Sequence, residues 1–559
     1  MNQMLKKYLS GALLLALAVP ASAMADDEAM KLKVDELTRK VAKLEDKTLS
    51  KWLDIGGDYR FRLDSMRGQT KAYTDANGTF TNAANTLQGN FFADPTGPTL
   101  APGLNAGMLS GLMGFSNQMK TTTTFAGAQA FLQQPATQQM LGGLQNFAQQ
   151  VPAYKPNNDT LYTNRLGIDL HAKATKDVTV NVRLVAYKTF GSQDDSAVTN
   201  GGSTPFFADR VGTFDGTLGH VPSSSLLDVD RAFATWANIA DQPVWFSVGR
   251  RPSTNGAPSN LRMNNERPGN GGTPALLVDY AFDGMTIGYA PDIDGLPGAY
   301  AKVCYGRGFE SGLETTSNSL NDTDMLGVAI IPIDTDPLRI SMQWNRGFNI
   351  FDFPVMKNTA FGNTAPSTAL GDIDWYEIGA LSTIKNVGPG KLNFFADAGL
   401  SVTHPNNNVS GAAGFQGLMT GAFFNPEAPS DKTGWAGYLG ARYDFEPTKT
   451  KVGFEYNHGS KNWITFAPAA DDMWTSKLGT RGNVYEAYLI QELGLKPISS
   501  HLSKAFFRVG FQYYDFEYTG SNNWVGAPVK IADIQANSMQ MLIPLEKAYD
   551  IYATFEVKF

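Results

Sequence analysis

The sequence holds one cysteine, Cys304. No intramolecular disulfide, no paired-cysteine haem attachment and no thiolate metal cluster can form within one chain. Cys304 lies in an apolar stretch, Ala301–Tyr305, and reads as a small buried or lipid-facing hydrophobe. The five histidines (His171, His220, His404, His458, His501) show no metal-ligand spacing. There is no Gly-x-Ser-x-Gly elbow and no phosphate loop. These absences argue against an enzyme and imply no cofactor. Charge is also sparse: 18% of residues are charged, against roughly 25% in an average soluble domain. A formal net charge of −7 argues against a nucleic-acid partner. Beyond the N-terminus no apolar run is long enough to cross a bilayer as a helix. Glycine, by contrast, is abundant at 56 of 559 residues, and aromatics reach 11%, which argues against a disordered chain.

Residues 1–25 have the three parts of a secretory signal peptide: Lys6 and Lys7, an apolar stretch from Leu9 to Val19, then small residues. Cleavage after Ala25 leaves Asp26-Asp27-Glu28 as the mature start; a site after Ala23 competes with it. No cysteine stands at the junction to carry a lipid anchor. Residues 26–50 are expected to form a coiled-coil helix, because Met30, Val34, Leu37, Val41 and Leu44 are spaced 4, 3, 4, 3. Two to three heptads are too few to stand alone. The segment therefore reads either as a short parallel coil in an oligomer, a trimer, or as an amphipathic helix lying on the chain's own surface or plugging its interior.

From Trp52 the period changes to two. Leu53, Ile55, Tyr59, Phe61 and Leu63 alternate with Asp54, Asp58, Arg60, Arg62 and Asp64. Charges on every second residue suit a wet channel whose other wall faces lipid. The pattern recurs at Arg165–His171, Val178–Leu184, Leu338–Asn345, Leu439–Phe445 and Phe507–Tyr513. Short turns are expected near 174–177, 239–243, 291–297, 334–337, 385–390 and 446–450. Long polar connections are expected at about 66–160, 192–226, 251–274, 308–323, 349–371, 404–433, 460–481 and 519–546. Short turns alternating with long loops mark an outer-membrane barrel. The fold class expected is all-β: a transmembrane antiparallel β-barrel over 51–559, of about sixteen strands, with fourteen to eighteen compatible. That count reads Leu276–Ala290 as one bulged strand and places Ile531–Leu545 in the last outer loop.

The final residues alternate Ile551, Ala553, Phe555, Val557 and Phe559 with Tyr552, Thr554, Glu556 and Lys558. A last strand ending in an aromatic resembles the signal read by the barrel-assembly machinery of Gram-negative bacteria, with Phe559 as the residue recognised. Leu227–Asn238 (LDVDRAFATWAN) followed by Trp245–Arg250 (WFSVGR) resembles the paired-strand motif of bacterial porins. Trp52–Leu63 (WLDIGGDYRFRL) is similar to the first strand of coil-bearing porins and of alginate-export-like barrels. Overall the chain resembles the porin-like outer-membrane proteins of deltaproteobacteria, departing from general porins in its very long first loop. The resemblance implies a cell outer-membrane location, among membrane lipid and lipopolysaccharide.

A barrel of this size is too wide for side chains to fill, and its lining charges set selectivity. The expected inward bases are Arg60, Arg62, Arg165, Arg183, Arg231, Arg339, Arg442 and Arg508. The expected acids are Asp58, Asp169, Glu377, Asp397, Asp444, Glu455 and Glu486, so the two sets form a mixed field. Within the first loop, Phe125–Val151 reads as a helix broken at Pro135 and Gly142-Gly143. That loop is expected either to constrict the mouth or to act as an adhesive or subunit-clasping element. The function expected is passive diffusion of small hydrophilic solutes and ions. The alternatives are a sheath housing a multihaem cytochrome and a polysaccharide exporter.

Overall fold

The computed structural model describes residues 52–93, 106–192, 222, 224–252, 258–266, 276–277, 281–313, 320–352, 366–466, 472–495 and 503–559. The signal-peptide and coiled-coil expectations for 1–50 lie outside the described residues. Sixteen strands close into one antiparallel barrel. They are β1 (Leu53–Thr70), β2 (Asn157–Lys173), β3 (Val178–Thr189), β4 (Ser224–Trp236), β5 (Val244–Pro252), β6 (Ala281–Tyr289), β7 (Tyr300–Phe309) and β8 (Thr323–Asp334). The second half comprises β9 (Arg339–Phe351), β10 (Ala369–Val387), β11 (Gly390–Pro405), β12 (Thr433–Phe445), β13 (Thr450–Gly459), β14 (Gly482–Glu492), β15 (Lys504–Phe516) and β16 (Leu545–Lys558). Each strand pairs with its chain neighbours, and β16 closes on β1 through pairs such as Phe61 with Phe555.

The connections sort by end. Those at 174–177, 237–243, 290–299, 335–338, 388–389, 446–449 and 493–503 are short; those at the other end are longer. The turn at 493–503 is an addition to the short turns expected from sequence, because it carries no strong turn dipeptide. The first loop is 71–156, shorter than the 66–160 expected, because β1 keeps pairing with β16 as far as Thr70 and Leu545. The expected strand 276–290 is a single strand, but it starts at Ala281 and pairs in unbroken register with both neighbours, so it has no bulge. Leu276 and Leu277 belong to the preceding loop and are buried. Residues 531–544 do lie in the last long loop. There Met539–Gln540 pairs with Tyr73–Asp75 of the first loop, which also pairs with Gln149–Val151.

The period of two gives the wall two faces. Outward residues are apolar and exposed, among them Leu400, Leu489, Val509, Phe511 and Ile551. Exposed aromatics ring both ends. Tyr162, Tyr305, Trp435 and Tyr485 stand toward the long loops, and Trp236, Tyr289, Phe445 and Phe559 toward the short turns. An apolar band between two aromatic girdles is the surface a barrel presents to a bilayer.

The first loop builds a helical cap. Its helices are α1 (Ala76–Ala93), α2 (Ala106–Thr121), α3 (Phe125–Gln133) and α4 (Pro135–Leu144). The Thr124 hydroxyl caps α3 by accepting from the Gly127 amide at 3.2 Å. Pro135 breaks the helix as expected and opens α4, where its missing N–H costs nothing. Gly142-Gly143 does not break it; both lie inside the last turn of α4. The cap buries Phe80, Leu87, Phe115 and Phe131 against Phe415, Phe423 and Phe424 of the loop 406–432. Phe131 meets Phe415 at 5.5 Å between ring centroids, and Phe80 meets Phe424 at 5.9 Å.

Candidate functional site

Inside the barrel the two sides differ. On β10–β16 the inward residues are bulky, including Trp375, Phe395, Tyr438, Tyr488 and Tyr552, all buried. Loop residues fold in against them: Leu261, Leu277, Trp463, Phe466, Leu478 and Trp524 share one apolar cluster with Trp375, Phe395 and Tyr438. The Trp375 indole donates to the Ile464 carbonyl at 2.9 Å, and the Trp463 indole to the Leu478 carbonyl at 2.7 Å. Arg481 ties loops together by donating to the carbonyls of Trp463 (2.9 Å), Thr519 (3.0 Å) and Asn523 (2.6 Å).

Between β5 and β6, the described residues 258–266 pack against inward residues of the filled side. Their short helix Ser259–Arg262 is buried. The Arg262 guanidinium donates to Asp472 at 2.6 Å and to Glu486 at 3.2 Å. Burial acts to lower its pKa, but the two carboxylates outweigh that and raise it well above the ordinary value, so the charge is held. Beyond it, Asn264 donates to Glu492 at 2.9 Å and accepts from Lys451 Nζ at 2.7 Å, while Lys558 Nζ donates to the Asn264 carbonyl at 3.1 Å. Lys451, Glu492 and Lys558 stand at the short-turn ends of β13, β14 and β16, so Asn264 reaches the short-turn end of the wall.

All fifteen residues expected to line the lumen lie on barrel strands, and eleven of them are buried; Asp58, Arg165, Asp169 and Arg231 keep partial exposure. They fall into local groups. Arg62 pairs with Asp64 at 2.6 Å and Asp550 at 3.0 Å and lies 4.4 Å over the Tyr552 ring. Arg60 lies 5.2 Å over Tyr187. Asp58 joins Arg165 (3.3 Å) to Arg183, which also binds Asp169 at 2.6 Å and Asp230 at 3.5 Å. Arg231 pairs with Asp230 at 3.2 Å. Arg339 donates to the Tyr300 hydroxyl at 3.0 Å. Glu377 accepts from Gln343 at 2.6 Å, and Asp397 stands diagonally from it on the next strand, over Gly379.

Arg442 forms a two-point pair with Asp444 (2.6 and 2.8 Å). Glu455 accepts from Lys477 and from the hydroxyls of Tyr438 and Tyr488. Glu486 gathers Lys477 (2.6 Å), Gln512 (3.1 Å) and Tyr552 (2.7 Å) beside Arg262. Arg508 binds Glu556 at 3.1 Å and the Arg262 carbonyl at 2.8 Å. Glu377, Asp397, Asp444, Glu455 and Glu486 therefore sit on the filled side, buried among their neighbours.

The other side is open. A cavity of about 430 Å³ follows the inner wall, lined by Phe233, Thr235, Pro243, Trp245, Ser247, Arg251 and Ala290 among others. It extends from the turns at 237–243 and 290–299 to Arg251 and Pro252 at the long-loop end of β5. That strand has nine residues, roughly 26 Å of extended chain. A second cavity of about 60 Å³ shares Arg251 and Pro252 and adds Lys302, Cys304, Gln343 and Asn345. Space exists here because many inward residues in the middle of β5–β8 are small, among them Ser247, Gly249, Thr286, Gly306 and Gly327. Position 288 requires glycine, since the Trp245 indole lies where a Cβ would be. Arg251, Lys302, Arg262, Lys477 and Asp472 are additions to the residues expected from sequence. For Arg251 and Lys302 the alternation of their strands is a usable signal; the three loop residues carry none.

Comparison with solved structures gives distant likenesses. OmpT, an outer membrane protein of Vibrio cholerae in a trimer form, is 10% identical with a TM-score of 0.37, over 91% of this chain and 99% of that one. Pseudomonas putida OprB is 10% identical with a TM-score of 0.40, over 91% and 95%. Salmonella typhi OmpF, solved in complex with daunomycin, is 9% identical with a TM-score of 0.37, over 90% and 97%. No curated protein matches the sequence. The family model described as "Protein of unknown function (DUF3373)" matches residues 155–559, from the start of β2 to the end of the barrel, and the chain belongs to that family.

Proposed function

We propose that this protein is an outer-membrane porin, a water-filled channel through which small hydrophilic solutes and ions diffuse passively. The observation that carries the reading is the cavity of about 430 Å³ along the inner wall of β4–β6, reaching from the short turns to the long-loop end of β5. The apolar outer band and its two aromatic girdles suit strands that cross a bilayer, with the short turns toward the periplasm. Most of the fifteen inward charges act as wall pairs that hold strands and loops in register. The N-terminal segment is a periplasmic coil within a trimer, lipopolysaccharide surrounds the outer rim, and Phe559 is read by the assembly machinery. An interior half filled by the chain's own loops weighs against a sheath wide enough for a cytochrome.

The test is solute flux into proteoliposomes containing folded protein, with folding checked by heat-modifiable gel mobility. Ions and the smallest neutral solutes are expected to enter, with a steep decline as solute size rises. Folded protein that leaves the vesicles as tight as empty ones overturns the proposal.

A further inference from the structure

The open side of the barrel carries charge of one sign. Along β5–β8 the inward residues between Trp245 and Ile331 include two cations, Arg251 and Lys302, and no carboxylate. The first inward carboxylate beyond them is Asp334, at the short-turn end and 4.0 Å from Arg339. On β4, Asp230 is engaged by Arg183 and Arg231. Arg251 itself is held by neutral groups: its Nε donates to the Ser247 hydroxyl at 2.9 Å and its Nη1 to the Thr286 hydroxyl. Hydroxyls fix the guanidinium without neutralising it, and it lines both cavities. The same groove has an apolar floor, with Phe233, Val244, Trp245 and Ala290 in its wall. A charge of one sign beside an aromatic face is the lining that suits an anion with a hydrocarbon body.

We propose that this groove is a path selective for small organic monocarboxylates: the carboxylate pairs with Arg251, and the apolar body lies against Trp245 and Phe233. The proposal rests on the porin reading and names the solute class of that channel. A guanidinium presents a planar fork that matches a carboxylate in two-point geometry. Inorganic anions share the electrostatic attraction and lack the apolar contact. Formate lacks it too, so the groove ranks benzoate above formate.

The experiment measures reversal potentials across planar bilayers in gradients of potassium chloride, formate and benzoate, for the wild type, Arg251→Gln and Arg251→Lys. The wild type is expected to favour anions over potassium and benzoate over formate. One unit charge at about 4 Å in water contributes a factor of about five. Arg251→Gln is therefore expected to lower the anion-to-potassium ratio about fivefold, and Arg251→Lys to restore most of it. Channels that conduct but favour potassium, or that are unchanged in Arg251→Gln, overturn the path and leave the porin reading standing. If no current flows at all, the porin reading falls, and benzoate quenching of tryptophan fluorescence in detergent decides the site separately. Quenching lost in Arg251→Gln sustains the site; absence of quenching in the wild type removes it.

Discussion

Replacing Arg262 with alanine tests whether the loop 253–280 is seated by charge inside the barrel. The guanidinium is 6% exposed, and its partners Asp472 and Glu486 are 2% and 1% exposed. Removing one member of a buried ion cluster ordinarily costs about 3–5 kcal/mol, because the remaining charge is left in a poor solvent. Here Glu486 keeps Lys477, Gln512 and Tyr552, and Asp472 keeps Gln512 and the Lys477 amide. The lower end, about 3 kcal/mol, therefore applies. At about 1.4 kcal/mol per factor of ten, the loop should leave its seat about a hundred times more often. Single-channel records should then show frequent visits to a higher-conductance level that is rare in the wild type. Combining Arg262→Ala with Asp472→Asn should cost less than the sum of the two single changes. Identical current levels and dwell times in wild type and Arg262→Ala would refute the seating argument.

Three further outcomes follow from the geometry. Cys304 is half-buried on the inner wall beside Thr286, 3.1 Å away, so a bulky methanethiosulfonate should reduce single-channel current, and Cys304→Ser should abolish that sensitivity. Phe131→Ala, at the centre of the cap, should cost about 3–5 kcal/mol locally and expose the first loop to protease, while the heat-modifiable mobility of the barrel is kept. Asp322 accepts from the Ser311 amide at 2.9 Å and its hydroxyl at 2.8 Å and pairs with Arg307 at 2.6 Å. The Ser311 amide is the largest cause of its lowered pKa, followed by the Ser311 hydroxyl and helped by Arg307. A carboxyl with a depressed folded pKa contributes stability that is present above its unfolded value, about 3.9, and lost as pH falls through the folded value. The protection of the Ser311 amide, its exchange rate taken relative to that of an unstructured amide at the same pH, should therefore be high at pH 6 and be lost only in strong acid; loss already at pH 5 would contradict the sign.

The wall of this barrel is legible in the sequence because a period of two needs only local information. Each strand declares its inward face, so the alternation alone assigns Arg60, Arg183, Glu486 and Arg508 to the inner wall from neighbours two residues away. Loop length sorts the two ends, and the parity of the termini leads to sixteen. What fills the interior is not legible in the same way. Arg262 meets Asp472 and Glu486 across more than 200 positions, and its own segment is a polar loop with no periodicity. The first loop stands out by its length, yet its phenylalanines pair with those of 406–432, more than 270 positions away. One signal is available: the run of small inward residues in the middle of β5–β8, such as Ser247, Gly249, Thr286, Gly306 and Gly327, against Trp375, Phe395, Tyr438 and Tyr552 on β10–β16. Contrast in side-chain volume around the wall shows where loops can pack and where water remains.

A sixteen-strand barrel, half filled by its own loops, is expected to conduct along the wall of β4–β6. Single-channel recording of the full-length protein in a planar bilayer tests this most directly. The expected result is discrete current steps that shrink when Ser247 is enlarged or Cys304 is modified, and that are indifferent to Tyr488→Phe on the filled side. Folded protein that inserts without any current steps, or steps unaffected by every change along this groove, would contradict conduction along that wall.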